Sequence, residues 1–379
     1  MFPLFAYLIM NVPAALVAQL KKHDAIPFAE FMQLALYSPE YGYYTSSKPK
    51  FGSGGDFITA PELSPLFSQT LGEQCRQILQ QSDTDTILEF GAGSGKLCTD
   101  LLKHLARKNY LPEVYYILEV SGYLREQQKQ YIQQEIPDLA SRVQWLSEWP
   151  EQPFSGIILA NEVLDAMPVH RFLQTDDGIC ESFISLDEQS QLKEIFKPCS
   201  NPRLLNYLKT VLPADFSPYL SEANLYVEGW LKQCAASLKE GVILLIDYGF
   251  PRSEYYHPDR NQGTLMCHYR HQAHSNPLVY IGEQDITAHV DFTQVAEAAL
   301  AAGLEVSGYT NQAAFLLGNG LLSLLEDIQD EGLRLRAAQA VKQLIQPSEM
   351  GELFKVIALS KHYEGDLAGF QLQDKRASL

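Results

Sequence analysis

An α/β fold built on a doubly wound, mostly parallel sheet is what the sequence predicts, and three observations predict it. Short apolar runs alternate with helical patterns along the chain, the signature of strand–helix–strand units. One of these runs passes straight into a glycine-rich turn and then a helix. Two late runs flank a helical excursion, which suits the hairpin edge of a seven-stranded sheet.

Taken in order, residues 24–44 are aromatic and punctuated by proline, with a helix opening at 26–32 and closing at 38–44. Residues 51–65 are rich in Gly and Pro and read as a flexible loop entering an amphipathic helix over 66–79. Strands are predicted over 86–90, 114–120, 143–146, 156–160 and 242–247. The connection between the last two is far longer than a crossover helix requires. Its polar–apolar alternation is interrupted at Asp176-Asp177-Gly178 and at Asp187-Glu188, which predicts a small antiparallel α+β insertion. Residues 292–302 read as a helix stopped by Gly303, and 304–309 and 354–360 as strands. The resulting division is an N-terminal helical segment and loop (1–82), a core (83–170 and 236–362) and an inserted lobe (171–235).

The chain has 379 residues, 46% of them apolar and 20% charged, the composition of a globular protein with a full core. A formal net charge of −17 would repel a phosphate backbone, so nucleic acid is not expected as a partner; a basic protein segment or cationic small molecule fits the field better, and acidity that serves solubility alone is the other reading. Six scattered cysteines form no C-x-x-C pair and read as reduced thiols in a cytosolic protein. Residues 1–20 are apolar, but Lys21 and Lys22 follow rather than precede them, so neither a signal peptide nor a membrane span is expected. Translation from Met10 is the alternative to Met1.

The strongest motif is Leu88-Glu89-Phe90-Gly91-Ala92-Gly93-Ser94-Gly95, in which Gly91, Gly93 and Gly95 let the backbone turn sharply and approach a ligand. A dinucleotide loop would need its third glycine at Lys96, so NAD and FAD are disfavoured; a plain strand-to-helix turn is the other reading. Glu119, at the end of the second core strand, is placed to accept both hydroxyls of an adenosine ribose, and Glu89 to take a ligand's ammonium group directly or through water. These acids suit a ligand without phosphates. After the fourth strand comes Ala160-Asn161-Glu162-Val163-Leu164-Asp165-Ala166-Met167-Pro168. A helical turn there would bring Glu162 and Asp165 to one side, where two carboxylates clamp a guanidinium; helix capping is the alternative. His268, His271, His274 and His289 follow the fifth strand without a thiolate or tight carboxylate pair, so no metal is expected. His289 is carried forward as a third candidate beside Glu162 and Asp165.

Together these residues resemble the MidA-like methyltransferases, whose mitochondrial members are protein arginine methyltransferases acting in respiratory complex I assembly. The matching stretches are 26–32, 37–44, Gly55-Asp56-Phe57-Ile58-Thr59-Ala60-Pro61-Glu62, 88–95, Glu119, 161–168, Asp247-Tyr248-Gly249 and 285–292. The resemblance implies a Rossmann-like, seven-stranded class I methyltransferase sheet with S-adenosyl-L-methionine as methyl donor. It also implies a lid made by residues 55–62, with Thr59 and Glu62 joining Glu89, Gly91, Gly93, Gly95, Glu119 and Asn161 around the cofactor. The activity implied is methylation of a protein arginine, with a small-molecule methyltransferase and a non-catalytic S-adenosylmethionine-binding assembly factor as alternatives. A protein substrate is the expected partner, a respiratory-complex subunit among the candidates, and a homodimer is kept open. The start of the chain is neither Arg-rich nor Ser-rich, so a cytoplasmic location is expected and the mitochondrial substrate is not carried over.

Overall fold

The computed structural model of the protein describes residues 12–46, 59–82, 84–212 and 216–379. Residues 55–58 of the expected lid, and Met10, lie outside them. The chain opens with α1 (Ala14–His23), β1 (Ala25–Pro27), α2 (Phe28–Tyr37), α3 (Ala60–Leu63) and α4 (Pro65–Gln81). It continues through β2 (Thr86–Phe90), α5 (Lys96–Arg107), β3 (Val114–Leu118), α6 (Gly122–Glu135), β4 (Val143–Leu146) and β5 (Phe154–Asn161). The long connection holds β6 (His170–Thr175), β7 (Gly178–Leu186), β8 (Leu192–Pro198), α7 (Pro202–Val211), β9 (Tyr219–Ala223) and α8 (Val227–Ser237). After β10 (Leu238–Phe250) come α9 (Arg252–Tyr255), β11 (Met266–Tyr269), β12 (Gln272–His274), β13 (Asp285–Thr287) and β14 (Val290–Asp291). The chain ends with α10 (Phe292–Ala301), β15 (Glu305–Asn311), α11 (Gln312–Gly318), α12 (Leu321–Glu326), α13 (Glu331–Ile345) and β16 (Phe354–Lys361).

The chain divides into two compact units, residues 51–165, 226–255 and 289–379 in one, and 1–50, 166–225 and 256–288 in the other. The first contains the predicted sheet, in the order β15-β16-β10-β5-β2-β3-β4, with the short β14 beside β10. Strands β4, β3, β2, β5 and β10 run parallel, and β16 is antiparallel to both β10 and β15. This is the Rossmann-like arrangement expected from the sequence. Its central strands carry unbroken apolar runs, Ile157–Ala160 and Val242–Ile246, because helices cover both faces of a parallel sheet. Local signals start the helices: Ser64 caps α4, Ser121 caps α6 and Asp291 caps α10, each side chain accepting a backbone N–H of the first turn.

The second unit is built on the antiparallel sheet β1-β7-β6-β9, with β8 on β7, and the small sheet β12-β11-β13. The interrupted alternation seen in the sequence is the pair of hairpins β6–β7 and β7–β8. Thr175 pairs with Gly178 across Asp176-Asp177, and the Asp187 carboxylate accepts the N–H of Gln189 and Gln191. A separate apolar cluster including Phe28, Phe31, Met32, Ile184 and Ile286 forms its core. The division drawn from sequence differs from this one at several places. Helix α8, assigned to the insertion, belongs to the sheet unit because it is the crossover that feeds parallel β10. Residues 256–288, assigned to the core, and α1 to α2 lie in the antiparallel unit, where β1 pairs β7 and β11 pairs β13.

Core strands pack closely at Gly156, where an added Cβ would stand 2.1 Å from the Thr86 carbonyl oxygen on β2. The Gly156→Ala variant is expected to lose roughly 1–3 kcal/mol of stability by overpacking. A melting temperature equal to that of the parent would contradict the close β2–β5 register.

Candidate cofactor and acceptor site

Strand β2 ends at Phe90, and the next five residues reverse the chain into α5. Gly91, Gly93 and Gly95 sit at φ of 60°, 54° and 87°, the left-handed region that side-chain-bearing residues avoid. The Gly91 N–H donates to the Leu118 carbonyl at the end of β3 (3.1 Å), and the Gly95 N–H to the Ala92 carbonyl (2.8 Å). An added Cβ at Gly91 or Gly95 would meet only ordinary contacts at 3.6 Å, so conformation rather than space demands glycine there. The loop therefore offers bare backbone at the amino end of α5.

The part of the expected lid that is described reaches this loop. Thr59 accepts the N–H groups of Glu62 and Leu63 on its carbonyl, starting α3. From α3 the Glu62 carboxylate accepts the Ser94 hydroxyl and lies 3.3 Å from Lys96 Nζ. Glu119 follows β3, 4% exposed, its carboxylate accepting the Ser121 N–H (2.9 Å) and Gln128 Nε2 (3.0 Å). Gln128 on α6 also donates to the Gly93 carbonyl (3.0 Å) and accepts from Trp145 Nε1 (2.9 Å). It joins the ribose-type acid to the glycine loop, and nothing in the sequence marked it, since a glutamine inside a helix carries no local signal. Left-handed glycines, exposed loop backbone and an acid at the end of the next strand fit an adenosine-bearing ligand without phosphates.

Glu89 is placed differently from expectation. Its side chain is buried, and its carboxyl accepts the Tyr115 hydroxyl from neighbouring β3 at 2.8 Å. Burial pushes its pKa up to about 8; the Tyr115 hydrogen bond opposes the shift and the nearby Glu119 charge adds to it. A carboxyl whose charged form is disfavoured by burial is a poor clamp for an ammonium group.

The predicted helical turn over 162–165 does not form. Glu162 has φ 54°, a left-handed value that is strained for a residue with a side chain, and its N–H donates to the Ile246 carbonyl (2.9 Å). The following N–H groups of Val163, Leu164 and Asp165 converge on one oxygen of Asp247, at 3.2, 2.9 and 3.2 Å. Asp247, at the carboxyl end of β10, is the anchor that replaces the helix. Asp165 is 3% exposed and accepts the Tyr248 hydroxyl at 2.6 Å. Asn161 donates to the Glu162 carboxylate (3.0 Å). The His289 ring meets Tyr248 edge-on at 5.1 Å and stacks on Phe250 at 5.3 Å. Glu162, Asp165 and His289 thus share one neighbourhood through Tyr248 and Asp247. Burial raises the Asp247 pKa well above the carboxylate range, and the charges of Asp165 and Glu162 raise it further. His268, His271 and His274 belong to the antiparallel unit, and among the described residues no group of three or more His, Cys, Asp or Glu is arranged to hold a metal ion.

A testable consequence lies in Glu89. Its folded-state pKa of about 8 stands above the ordinary 4.5, so folding takes up a proton between these values. The stability it contributes is full below pH 4.5, falls as pH rises toward 8, and is level beyond. Urea unfolding at several pH values should show this fall in the parent and a flatter profile in Glu89→Gln. Parallel profiles would contradict a neutral, buried Glu89.

Comparison with known proteins agrees with this geometry. A family model described as "Putative S-adenosyl-L-methionine-dependent methyltransferase" matches residues 70–310. The chain is 28% identical over 378 residues to the rat mitochondrial protein arginine methyltransferase NDUFAF7, covering 92% of this chain and 84% of that one. It is 29% identical over 376 residues to the Drosophila melanogaster homologue, with 90% and 83% covered. A Burkholderia thailandensis protein crystallised with S-adenosyl-homocysteine superposes with a TM-score of 0.92 at 43% identity, covering 97% of this chain and 96% of that one. With a methyltransferase sheet, a donor-type glycine loop and this kinship, the chain belongs to the S-adenosyl-L-methionine-dependent methyltransferase family, and S-adenosyl-L-methionine is its cofactor.

Proposed function

We propose that the protein methylates a protein nitrogen, the side chain of an arginine. The observation that carries this reading is the convergence of Glu162, Asp165 and Asp247 where β5 and β10 end, close enough that the first two raise the pKa of the third. Such mutual repulsion is relieved by a cationic group, and two carboxylates match a guanidinium bidentately. The strained φ of Glu162 supports the same reading, since strain of this kind gathers at functional sites. The net charge of −17 favours approach by a basic segment, and the kinship with NDUFAF7 adds support at 28% identity.

In this reading Gly91, Gly93, Gly95, Glu119, Asn161, Thr59 and Glu62 surround the cofactor, with Glu89 bracing the loop from beneath. The bound donor supplies an electrophilic methyl group on a sulfonium. Glu162 and Asp165 orient the acceptor nitrogen in line with that group, Tyr248 fixes the Asp165 rotamer, Asp247 fixes the loop, and His289 walls the site. Orientation and exclusion of water lower the barrier, and little acid–base chemistry is needed. The six cysteines carry no disulfide, which suits a reducing compartment, and we place the protein in the cytoplasm.

Methylarginine formed from labelled donor in a cell extract lacking the protein tests the proposal. Added parent protein should restore labelling, and the Glu162→Ala, Asp165→Ala double variant should lower the rate about 100-fold while still binding S-adenosylhomocysteine. Equal restoration by the double variant would remove these acids from the reaction. Labelling of small molecules alone would replace arginine as the acceptor.

A further inference from the structure

A cavity of about 610 Å³ opens in the sheet-bearing unit, lined by Leu63 and Leu66 where α3 meets α4, Arg107 at the end of α5, and Ile328, Arg336 and Ala340 about α12 and α13. That volume falls in the range of small-ligand sites. Its floor is aliphatic, and its charge is mostly of one sign. Lys108 and His104, also in the lining, are engaged by Glu73 at 3.5 and 2.7 Å. Arg107 and Arg336 have no carboxylate at ion-pair distance among the described residues, although Asp327 shares the lining. Two exposed guanidiniums beside aliphatic side chains, with Asp327 the one acid of the lining, match an anion that carries its own apolar chain.

The cavity also borders α3, the helix that contacts the glycine loop. Leu63 in its lining directly follows Glu62, whose carboxylate holds Ser94 and Lys96. Whatever packs against Leu63 therefore bears on the clasp that positions the glycine loop.

We propose that this cavity is an effector site for a small aliphatic carboxylate, its chain on the leucine floor and its head between Arg107 and Arg336. The effector role rests on the glycine loop being the donor site; the binding itself does not. Calorimetric titration of the full chain with sodium decanoate, with acetate and decyltrimethylammonium as head-only and opposite-charge controls, tests it. Decanoate should bind and both controls should bind at least tenfold more weakly. The charge-reversed variant R107E/R336E, with R107A/R336A as a milder partner in case the reversal misfolds, should lose decanoate binding while keeping its affinity for S-adenosylhomocysteine. Decanoate should in turn change the S-adenosylhomocysteine affinity of the parent about fivefold or more. Absent decanoate binding, equal binding of decyltrimethylammonium, or binding unaffected in both variants would overturn the site. Decanoate binding that leaves S-adenosylhomocysteine affinity unchanged would overturn its effector role.

Discussion

The turn from Gly91 to Gly95 is the constraint from which the rest of the site follows. Three left-handed residues within five positions can be met only by glycine without strain, and they end β2, start α5 and leave backbone facing outward at the carboxyl edge of the sheet. Among the described residues, separate elements are fastened to the loop by hydrogen bonds. The end of β3 accepts the Gly91 N–H, α6 reaches Gly93 through Gln128, and α3 holds Ser94 through Glu62. A donor bound there would meet three elements already tied to one turn.

The loop after β5, where the acceptor is proposed to bind, is organised by a carboxylate. Asp247 spends its hydrogen-bonding capacity on backbone, satisfying three N–H groups that a helix would otherwise have left open, each costing about 1–3 kcal/mol if buried without a partner. Because the anchor is itself an acid, the loop it fixes carries Glu162 and Asp165 into its field. Acids gathered this closely are the natural place for a cation to dock, and one bound there would bring the raised Asp247 pKa back down.

The core strands were legible because a strand buried on both faces must be apolar throughout, and the inserted hairpins because Asp-Asp-Gly and Asp-Glu break an alternating pattern. The glycine-rich turn was legible because the demand it places on the backbone is local. The loop after β5 was not, since its geometry is set by Asp247, more than 80 residues later in the chain, and no spacing rule within 161–168 announces it. The surroundings of Glu89 were not legible for the same reason: the Tyr115 hydroxyl whose hydrogen bond it accepts comes from the adjacent strand. The place of α8 was misjudged because a helix at the end of a long insertion looks, in sequence, like part of that insertion.

The most direct measurement is calorimetric titration of the purified protein with S-adenosylmethionine and S-adenosylhomocysteine, with NAD as control and Gly93→Val alongside. A valine at φ 54° is strained and would crowd the loop that Gln128 holds. The account predicts binding of both sulfur nucleosides, none of NAD, and loss of binding in the variant with the fold retained. Failure of the parent to bind either nucleoside, or equal affinity in Gly93→Val, would contradict a donor site at the glycine loop.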